Sequence, residues 1–348
     1  MGKYKRSDEM KGFLFCGKEG FSTGGRGMSK RLVSAVALGF MLVACAGFAF
    51  AAPKQVVLGI TMQGNQSGFV QYITSGMWEW QKKNAPNVKM EVVFADDDAT
   101  KQLSQVETFI SEKVDAIIIN PVDKVQGATA VDEAAAANIP VLTVNTITTS
   151  TKVTAHVGSD DVLSGYLQMN RIIKVIGEKG KVAYVDAVLG HSAQIGRTAG
   201  YKKSLAEHPG VTLVVHDTGN WSGDESMKLV EDWLQSGKKM DAIACMADVQ
   251  LIGVVTAIKN ANMAGKIVLA GMDCDPLIMG YIKDGIVDNS IWQDGVGQGA
   301  NVVRLALDAA KGKKVADFYL PYEVCTKANL SHYLALAKDR DALAKKYF

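Results

Sequence analysis

Two hydrophobic patterns alternate along the chain from Val56 onward. Short runs of aliphatic and β-branched residues, such as VVLGITM at 56–62 and DAIIINP at 115–121, are typical of buried parallel strands. Longer amphipathic stretches lie between these runs and predict helices near 68–84, 99–113 and 124–138. The resulting order, β-α-β-α-β-α-β, predicts a doubly wound parallel sheet.

The same alternation returns after VTAHVGSDD, residues 153–161, and predicts a second α/β unit of similar size. Its predicted helices lie near 161–177, 192–207, 223–236, 248–262 and 275–284. A further helix near 296–311, a strand DFYLPYEV at 317–324 and a final amphipathic helix at 328–348 follow. Because no Ser-, Gly- or Pro-rich linker separates the units, we expect two α/β lobes that close on a cleft through a hinge.

Polar and aromatic side chains follow the predicted strands in both units. Ligands bind beside the carboxyl ends of the strands in open parallel sheets, so these residues are candidates for a binding site. The candidates are Gln66, Ser67, Phe69, Asn145, Thr146, His191, Ser192, Gln194, Arg197, Trp221, Asp248, Asp273, Gln293 and Asp294. Amide, carboxylate and guanidinium groups pair with hydroxyls, and an aromatic face covers C–H groups, so the set favours a polyol or sugar site. Any single Asp or Asn among them is also explained as a helix N-cap.

Charge and motifs argue against several other functions. The 348 residues carry a net charge of +2, which favours neither nucleic acid nor an anionic membrane surface as a partner. The sequence contains no nucleophile elbow, no HExxH pair and no phosphate-binding P-loop, so we predict no catalytic residues and no cofactor. The acidic cluster Asp96–Asp98 is interpreted as the start of a helix, not as a metal site.

The N-terminal region predicts export. Residues 28–51 combine basic Lys30 and Arg31, an apolar run and a small-residue cleavage site before Ala52, which is the pattern of a signal peptide. Two alternatives stay open: a membrane anchor, because the run could just span a bilayer, and a lipoprotein lipidated at Cys45 within LVAC. Residues 1–27 do not fit this pattern and are interpreted as an extension from a wrongly chosen upstream start codon.

Export would place the protein in an oxidising compartment, where cysteines form disulfides. Three cysteines lie after the predicted signal peptide. Cys245 and Cys274 both follow predicted strands and could be neighbours, while Cys325 lies near the C-terminus. The odd number leaves at least one thiol unpaired. The favoured interpretation is that all three are small buried apolar residues, and their spacing does not predict a metal site.

Several motifs taken together resemble a known family. AIIINPVD, NIPVLTVNT, VGSDD, GHSAQIGRTAGY, LAGMD and SIWQDGVGQGA occur in the order and spacing of the periplasmic ribose-type sugar-binding proteins, the solute receptors of ABC importers. The resemblance covers about 54–327. It implies a type I periplasmic-binding-protein fold, with a first lobe of 54–157 plus 294–319 and a second of 158–293 plus 320–348. The lac-type repressors share this fold but begin with a DNA-binding helix-turn-helix, where this chain has an export signal.

The resemblance also implies roles for particular residues. Phe69 and Trp221 match the family's aromatic sandwich, and Arg197, Asp273 and Gln293 match its guanidinium, carboxylate and late amide. The departures are Asn145-Thr146 for an Asp-Arg pair, Ala247-Asp248 for an Asn-Asp pair and Gly68 for an aromatic residue. A polar group without its partner costs about 1–3 kcal/mol, so ribose should fit badly. Another sugar, a sugar alcohol, a cyclitol or a furanosyl signalling molecule is expected instead.

The function implied is that of a monomeric, non-enzymatic solute-binding protein of the periplasm. It would close on a small sugar or polyol and deliver it to an ABC permease in the inner membrane. The alternative is a ligand-loaded receptor subunit for a chemoreceptor or sensor kinase. The location would instead be the membrane surface if Cys45 carries a lipid.

Overall fold

The computed structural model describes residues 55–348. The predicted signal peptide (28–51), the alternative lipidation site Cys45 and the upstream extension (1–27) lie outside the described residues. Within residues 55–348, no helix is both long and apolar enough to cross a membrane.

Strands and helices alternate through most of the described chain. The strands are β1 Val57–Met62, β2 Lys89–Phe94, β3 Ala116–Ile119, β4 Val141–Val144, β5 Ala155–Gly158, β6 Gly180–Asp186, β7 Val211–Thr218, β8 Ala242–Cys245, β9 Val268–Met272, β10 Asn289–Trp292, β11 Phe318–Tyr319 and β12 Glu323–Thr326. The helices are α1 Gly68–Asn84, α2 Ala99–Glu112, α3 Gln126–Ala136, α4 Asp161–Val175, α5 Ser192–Glu207, α6 Gly223–Gln235, α7 Asp248–Asn260, α8 Pro276–Asp284, α9 Gly295–Ala310 and α10 Leu330–Tyr347. All ten predicted helices are therefore present, with ends within about two residues of the prediction.

The strands form two sheets, each the centre of one lobe. The first has the order β11-β5-β4-β3-β1-β2 and the second β12-β10-β9-β8-β6-β7. Central strands such as β3, β4 and β8 are buried throughout, as their apolar runs require when helices cover both faces. The predicted fold class, two doubly wound α/β lobes, is confirmed.

The chain crosses between the sheets three times. It passes from β5 to α4, from β10 to α9, and from β11 to β12. Helix α4 packs on strands of the second sheet and α9 on strands of the first, so each crossing carries the chain into the other lobe. The exact lobe limits given above remain a proposal.

The predicted strand DFYLPYEV differs from what the structure shows. It is split into β11 and β12, which belong to different sheets and flank Pro321, a residue that has no N–H for a strand ladder. Strand β12 pairs antiparallel with β10, so the second sheet is mixed and not wholly parallel. A local apolar pattern gives no sign of this division between the two sheets.

Aspartate side chains start several helices. Asp98 accepts hydrogen bonds from the backbone N–H groups of Thr100 and Lys101 at the start of α2, and Asp160 caps α4 in the same way. Asp96 forms an exposed ion pair with Lys101. The capping bonds of Asp98 confirm that the acidic cluster starts a helix. Within residues 55–348 no group of three or more His, Cys, Asp or Glu is arranged to hold a metal ion.

Cys245, Cys274 and Cys325 are free and buried, as predicted. Cys325 pairs with Ser290 across β12 and β10, and the Cys274 sulfur lies 3.6 Å from the Ser290 carbonyl oxygen. Cys274 therefore lies beside Cys325 in the second lobe, and burial raises the pKa of its thiol.

Helices α4 and α5 pack backbone to backbone through two glycines. A Cβ atom added to Gly165 would lie 2.2 Å from the Arg197 carbonyl oxygen, and one added to Gly200 would lie 2.2 Å from that of Val162. This close approach fixes the position of α5 and of the side chains that α5 directs toward the strand ends.

We expect Gly165→Ala to destabilise the protein by about 1–3 kcal/mol, because overpacking outweighs the better helix propensity of Ala. Urea unfolding followed by circular dichroism measures this loss. Gly280→Ala in α8 is the matched control, since a Cβ there meets nothing within 4 Å. The control should be neutral or slightly stabilising, and an equal loss in both variants would contradict the packing argument.

Candidate functional site

Three of the predicted site residues have unusual backbone conformations. Asn145 follows β4 with a φ of 62°, Trp221 follows β7 with a φ of 56°, and Asp273 follows β9 with a φ of 103°. Positive φ is uncommon outside glycine and costs about 1–3 kcal/mol where the residue does not favour it. Asn tolerates positive φ, but Trp rarely adopts it, and strained residues of this kind cluster at functional sites, so the position of Trp221 after a strand supports a binding role there.

Arg197 is the buried charge at the centre of the second lobe's part of the site. It is 5% exposed, its Nε donates to Asp161 Oδ1 at 3.1 Å, and its Nη1 donates to the Met246 carbonyl oxygen at 2.5 Å. The Tyr322 hydroxyl donates to the same Asp161 oxygen at 3.1 Å. This network joins α5 to the first crossing, through Asp161, and to the third, through Tyr322.

Sequence reasoning identified Arg197 but neither Asp161 nor Tyr322. Asp161 follows the cap residue Asp160 within the motif VGSDD, where a second acid at a helix start had an ordinary explanation. Tyr322 lies in the segment predicted as one continuous strand, and no local signal marks it.

The indole ring of Trp221 lies against the guanidinium group of Arg197. The Arg197 Cζ atom is 5.8 Å from the centre of the Trp221 ring, and the His191 ring meets Trp221 edge-on with centroids 5.5 Å apart. The His191 Nδ1 accepts a hydrogen bond from the Ala193 N–H at the start of α5. Burial, with the nearby charge of Arg197, lowers the pKa of His191 to about 4, so this ring is neutral at pH 7.

Asp273 follows β9 and carries a partly buried carboxyl group. Its backbone N–H donates to the Ile291 carbonyl oxygen at 2.8 Å, and its own carbonyl oxygen accepts from Arg340 at 2.8 Å. Burial raises the pKa of the Asp273 carboxyl to about 6, and the guanidinium groups of Arg197 and Arg340 oppose that rise. The Asp273 charge in turn contributes to the raised pKa of Arg197, against the lowering effect of burial, so the two groups are electrostatic partners.

Two hydrogen bonds bring candidate residues of different segments together. Gln293, which is 2% exposed on the second crossing, donates from its Nε2 to Asn145 Oδ1 at 3.0 Å. The backbone N–H of Ile147, in the first lobe, lies 3.4 Å from the hydroxyl oxygen of Ser192, in the second. The candidates after β4, on α5 and on the crossing therefore lie close together where the two lobes meet.

Thr146 and Asp248 have their polar atoms paired within the protein. The Thr146 hydroxyl donates to the Pro121 carbonyl oxygen at 2.9 Å and accepts from Asn120. The Asp248 carboxyl accepts from the Asp275 N–H at 2.8 Å and from the Ser290 hydroxyl, and burial raises its pKa well above the usual range. Their roles as ligand contacts stay predictions, while the structure shows that each holds a neighbouring loop.

The early candidates in the first lobe differ in their surroundings. Gln66 is exposed and its amide donates to the Asn65 side chain at 3.0 Å. Ser67 precedes α1 without making a side-chain capping bond. The partly buried Phe69 ring lies so close to Gly295, at the start of α9, that a Cβ there would be 3.2 Å from it. Phe69 therefore packs against the second crossing.

A family model describes most of the chain. The model of the periplasmic binding protein domain matches residues 58–314. Two α/β lobes joined by three crossings are the architecture of this family. The chain belongs to the periplasmic binding protein family.

Individual relatives are similar over nearly the whole described region. A protein of Rhizobium meliloti named for rhizopine binding is 32% identical over 84% of this chain and 96% of its own length. The xylitol-binding protein of Mycolicibacterium smegmatis is 29% identical over 82% and 81%. An ABC transporter solute-binding protein from Bacillus halodurans, solved with bound myo-inositol, is 36% identical, has a TM-score of 0.79, and covers 82% of this chain and 99% of its own.

Proposed function

We propose that this protein captures a small polyhydroxylated ligand, a cyclitol or sugar alcohol above all, between its two lobes and delivers it to an ABC import permease. The observation that carries the proposal is the grouping of Trp221, Arg197 and Asp273 at the strand ends of the second lobe. No chemical conversion is part of this role, and export to the periplasm through the signal peptide belongs to the proposal.

The grouping suits hydroxyl groups on a compact ring or chain. The Asp273 carboxylate accepts hydrogen bonds from two neighbouring hydroxyls, and such charge-assisted bonds are stronger than neutral ones. The indole face of Trp221 covers the C–H side of the same molecule. The neutral His191 beside it uses Nδ1 as an acceptor for the Ala193 N–H, so its Nε2–H adds an uncharged donor.

Binding favours closure because the ligand contacts both lobes. In this proposal Phe69 and Asn145 touch it from the first lobe, Arg197, Trp221 and Asp273 from the second, and Gln293 from the crossing between them. A ligand shifts a conformational equilibrium only through contacts that exist in one state and not the other, and these contacts are complete only in the closed state.

The choice of a cyclitol or polyol over ribose rests on two supports. One is the replacement of a charged Asp-Arg pair by Asn145 and Thr146, since Asn145 already bonds Gln293 and Thr146 is paired within its lobe. The other is the set of similar proteins, which includes one named for xylitol and one solved with myo-inositol.

A thermal-shift screen of residues 54–348 tests the proposal, using protein refolded from denaturant so that no carried-over ligand remains. Inositols and sugar alcohols should raise Tm by several degrees, because ligand at 1,000 times its Kd adds about 4 kcal/mol. Ribose should raise it less. The variant Asp273→Asn is the control and should lose most of the shift. Silence across inositols, sugar alcohols, pentoses and hexoses would overturn the proposed ligand class.

The alternative role, as the ligand-loaded subunit of a chemoreceptor or sensor kinase, uses the same cleft. Binding measurements do not separate it from import. Neighbouring genes for a permease and an ATPase favour import, whereas a neighbouring sensor kinase gene favours signalling.

A further inference from the structure

Arg340, in the C-terminal helix α10, is buried beside the candidate site although no motif marks it. It is 4% exposed, and its Nη1 and Nη2 donate to the carbonyl oxygens of Asp273 at 2.8 Å and Cys274 at 3.0 Å. Its Nε donates to Asp341 at 3.0 Å. The planar guanidinium therefore holds two successive carbonyl groups of the loop that follows β9.

That loop needs an external support. Asp273 and Cys274 have φ values of 103° and 49°, so two successive residues that are not glycine lie in the left-handed region. Such conformations persist only where surrounding contacts hold them. Besides Arg340, the contacts that hold the loop are the Asp273 N–H bond to Ile291, the Cys274 N–H bond to Ser290 and the Asp275 N–H bond to Asp248.

Arg340 also contacts the first lobe. The Cζ atom lies 4.1 Å from the centre of the Tyr72 ring in α1 and 4.9 Å from that of Trp292 at the second crossing. Helix α10 spans both lobes in the same way: Leu330 and Tyr333 belong to the second lobe's core, while Tyr347 packs on Trp78 of α1 at 5.3 Å.

We propose that Arg340 is a positioning residue for ligand binding, which holds the Asp273–Cys274 turn so that the Asp273 carboxylate faces the cleft. Because the same guanidinium stacks on Tyr72, this geometry is linked to the contact between the lobes. The inference rests on the proposed function, in which Asp273 binds ligand hydroxyls.

A positioning role for Arg340 should change the pKa of the Asp273 carboxyl, which a purely packing role would leave unchanged. Five charged or titratable groups act on the Asp273 carboxyl. Four lie on helices and one on the loop of Asp273 itself: Arg197, Arg340, Asp161, Asp248 and Asp275. Arg340 is one of the two cations in this set, and it opposes the rise of the Asp273 pKa. Its removal should therefore raise that pKa further, so that binding fails at a higher pH than in the wild type.

The test compares Arg340→Met and Arg340→Lys with the wild type, using myo-inositol as the probe in titration calorimetry from pH 5 to 8. In the wild type, binding should weaken as the pH falls below about 6. Arg340→Met should bind about tenfold more weakly at pH 7.5 and lose binding at a higher pH. Arg340→Lys keeps the charge but not the paired bonds, so it should bind more weakly with an unshifted pH profile.

Carbon-13 NMR of the Asp273 carboxyl, assigned with Asp273→Asn, measures the Asp273 pKa in the ligand-free protein.

Arg171→Met is the matched control, since it removes a guanidinium bonded to Asp288 away from the site. It should change neither the affinity for myo-inositol nor the titration of Asp273. Wild-type affinity in Arg340→Met, or weaker binding with an unmoved Asp273 titration, would overturn the positioning role. Equal binding of myo-inositol by the wild type and Asp273→Asn would exclude the Asp273 carboxylate from the ligand contacts, whereas no binding of any polyol or sugar by the wild type would overturn the proposed function. In both cases the NMR titration would still decide the role of Arg340.

Discussion

Arg197→Met should abolish ligand binding and lower the free energy of unfolding by about 3–5 kcal/mol. Removing one partner of a buried ion pair leaves the other charge, here Asp161, without compensation. The side chains of this pair are 6% and 18% exposed. Calorimetric titration and urea unfolding measure the two effects separately.

Arg171→Met provides the control for the stability effect. The Arg171–Asp288 pair is 40% and 20% exposed, so its loss should cost only about 0–1 kcal/mol. Should Arg197→Met prove too unstable, the double variant with Asp161→Asn removes the unpaired charge and should recover part of the stability without recovering binding. Wild-type affinity in either Arg197 variant would exclude Arg197 from the site.

Trp221→Ala should weaken binding at least tenfold while leaving the fold almost as stable as before. The substitution removes roughly 1.5–3 kcal/mol of apolar contact with the ligand. The loss of stability is expected to be small because Trp221 is only partly buried, and because Ala keeps the Cβ atom, the strain of its φ of 56° is unchanged.

The variant Trp221→Phe tests whether a smaller aromatic ring is enough for ligand binding. It keeps an aromatic face and should lose less affinity than Trp221→Ala, with intrinsic fluorescence and calorimetry as the measurements. A Trp221→Ala protein that binds normally would mean that the ring covers Arg197 and His191 and does not contact ligand.

The order of elements could be predicted because each one leaves a local signal. Buried parallel strands are continuous apolar runs, helices repeat their apolar positions every three to four residues, and aspartates such as Asp98 and Asp160 mark helix starts. The segment around Pro321 was the exception, since division between two sheets is a property of the whole fold.

The site was predictable only in part, for a related reason. Residues directly after strands, such as Trp221 and Asp273, could be identified because the fold fixes where strand ends converge. The same rule singled out Thr146 and Asp248, whose side chains are paired within the protein. Tyr322 and Arg340 reach the site from segments distant in sequence, and no spacing along the chain predicts such contacts.

The C-terminal end of α10 has a practical consequence for anyone attaching a reporter group to this protein. The Phe348 ring lies 5.4 Å from that of Trp78 and 6.3 Å from that of Phe94, both in the first lobe, while α10 begins in the core of the second. A dye or fusion partner joined after Phe348 is therefore attached beside the first lobe, at the end of a helix that begins in the second. Placed there, a fluorophore should respond to movement of one lobe relative to the other, and a bulky purification tag should disturb the packing of Phe348 on Trp78.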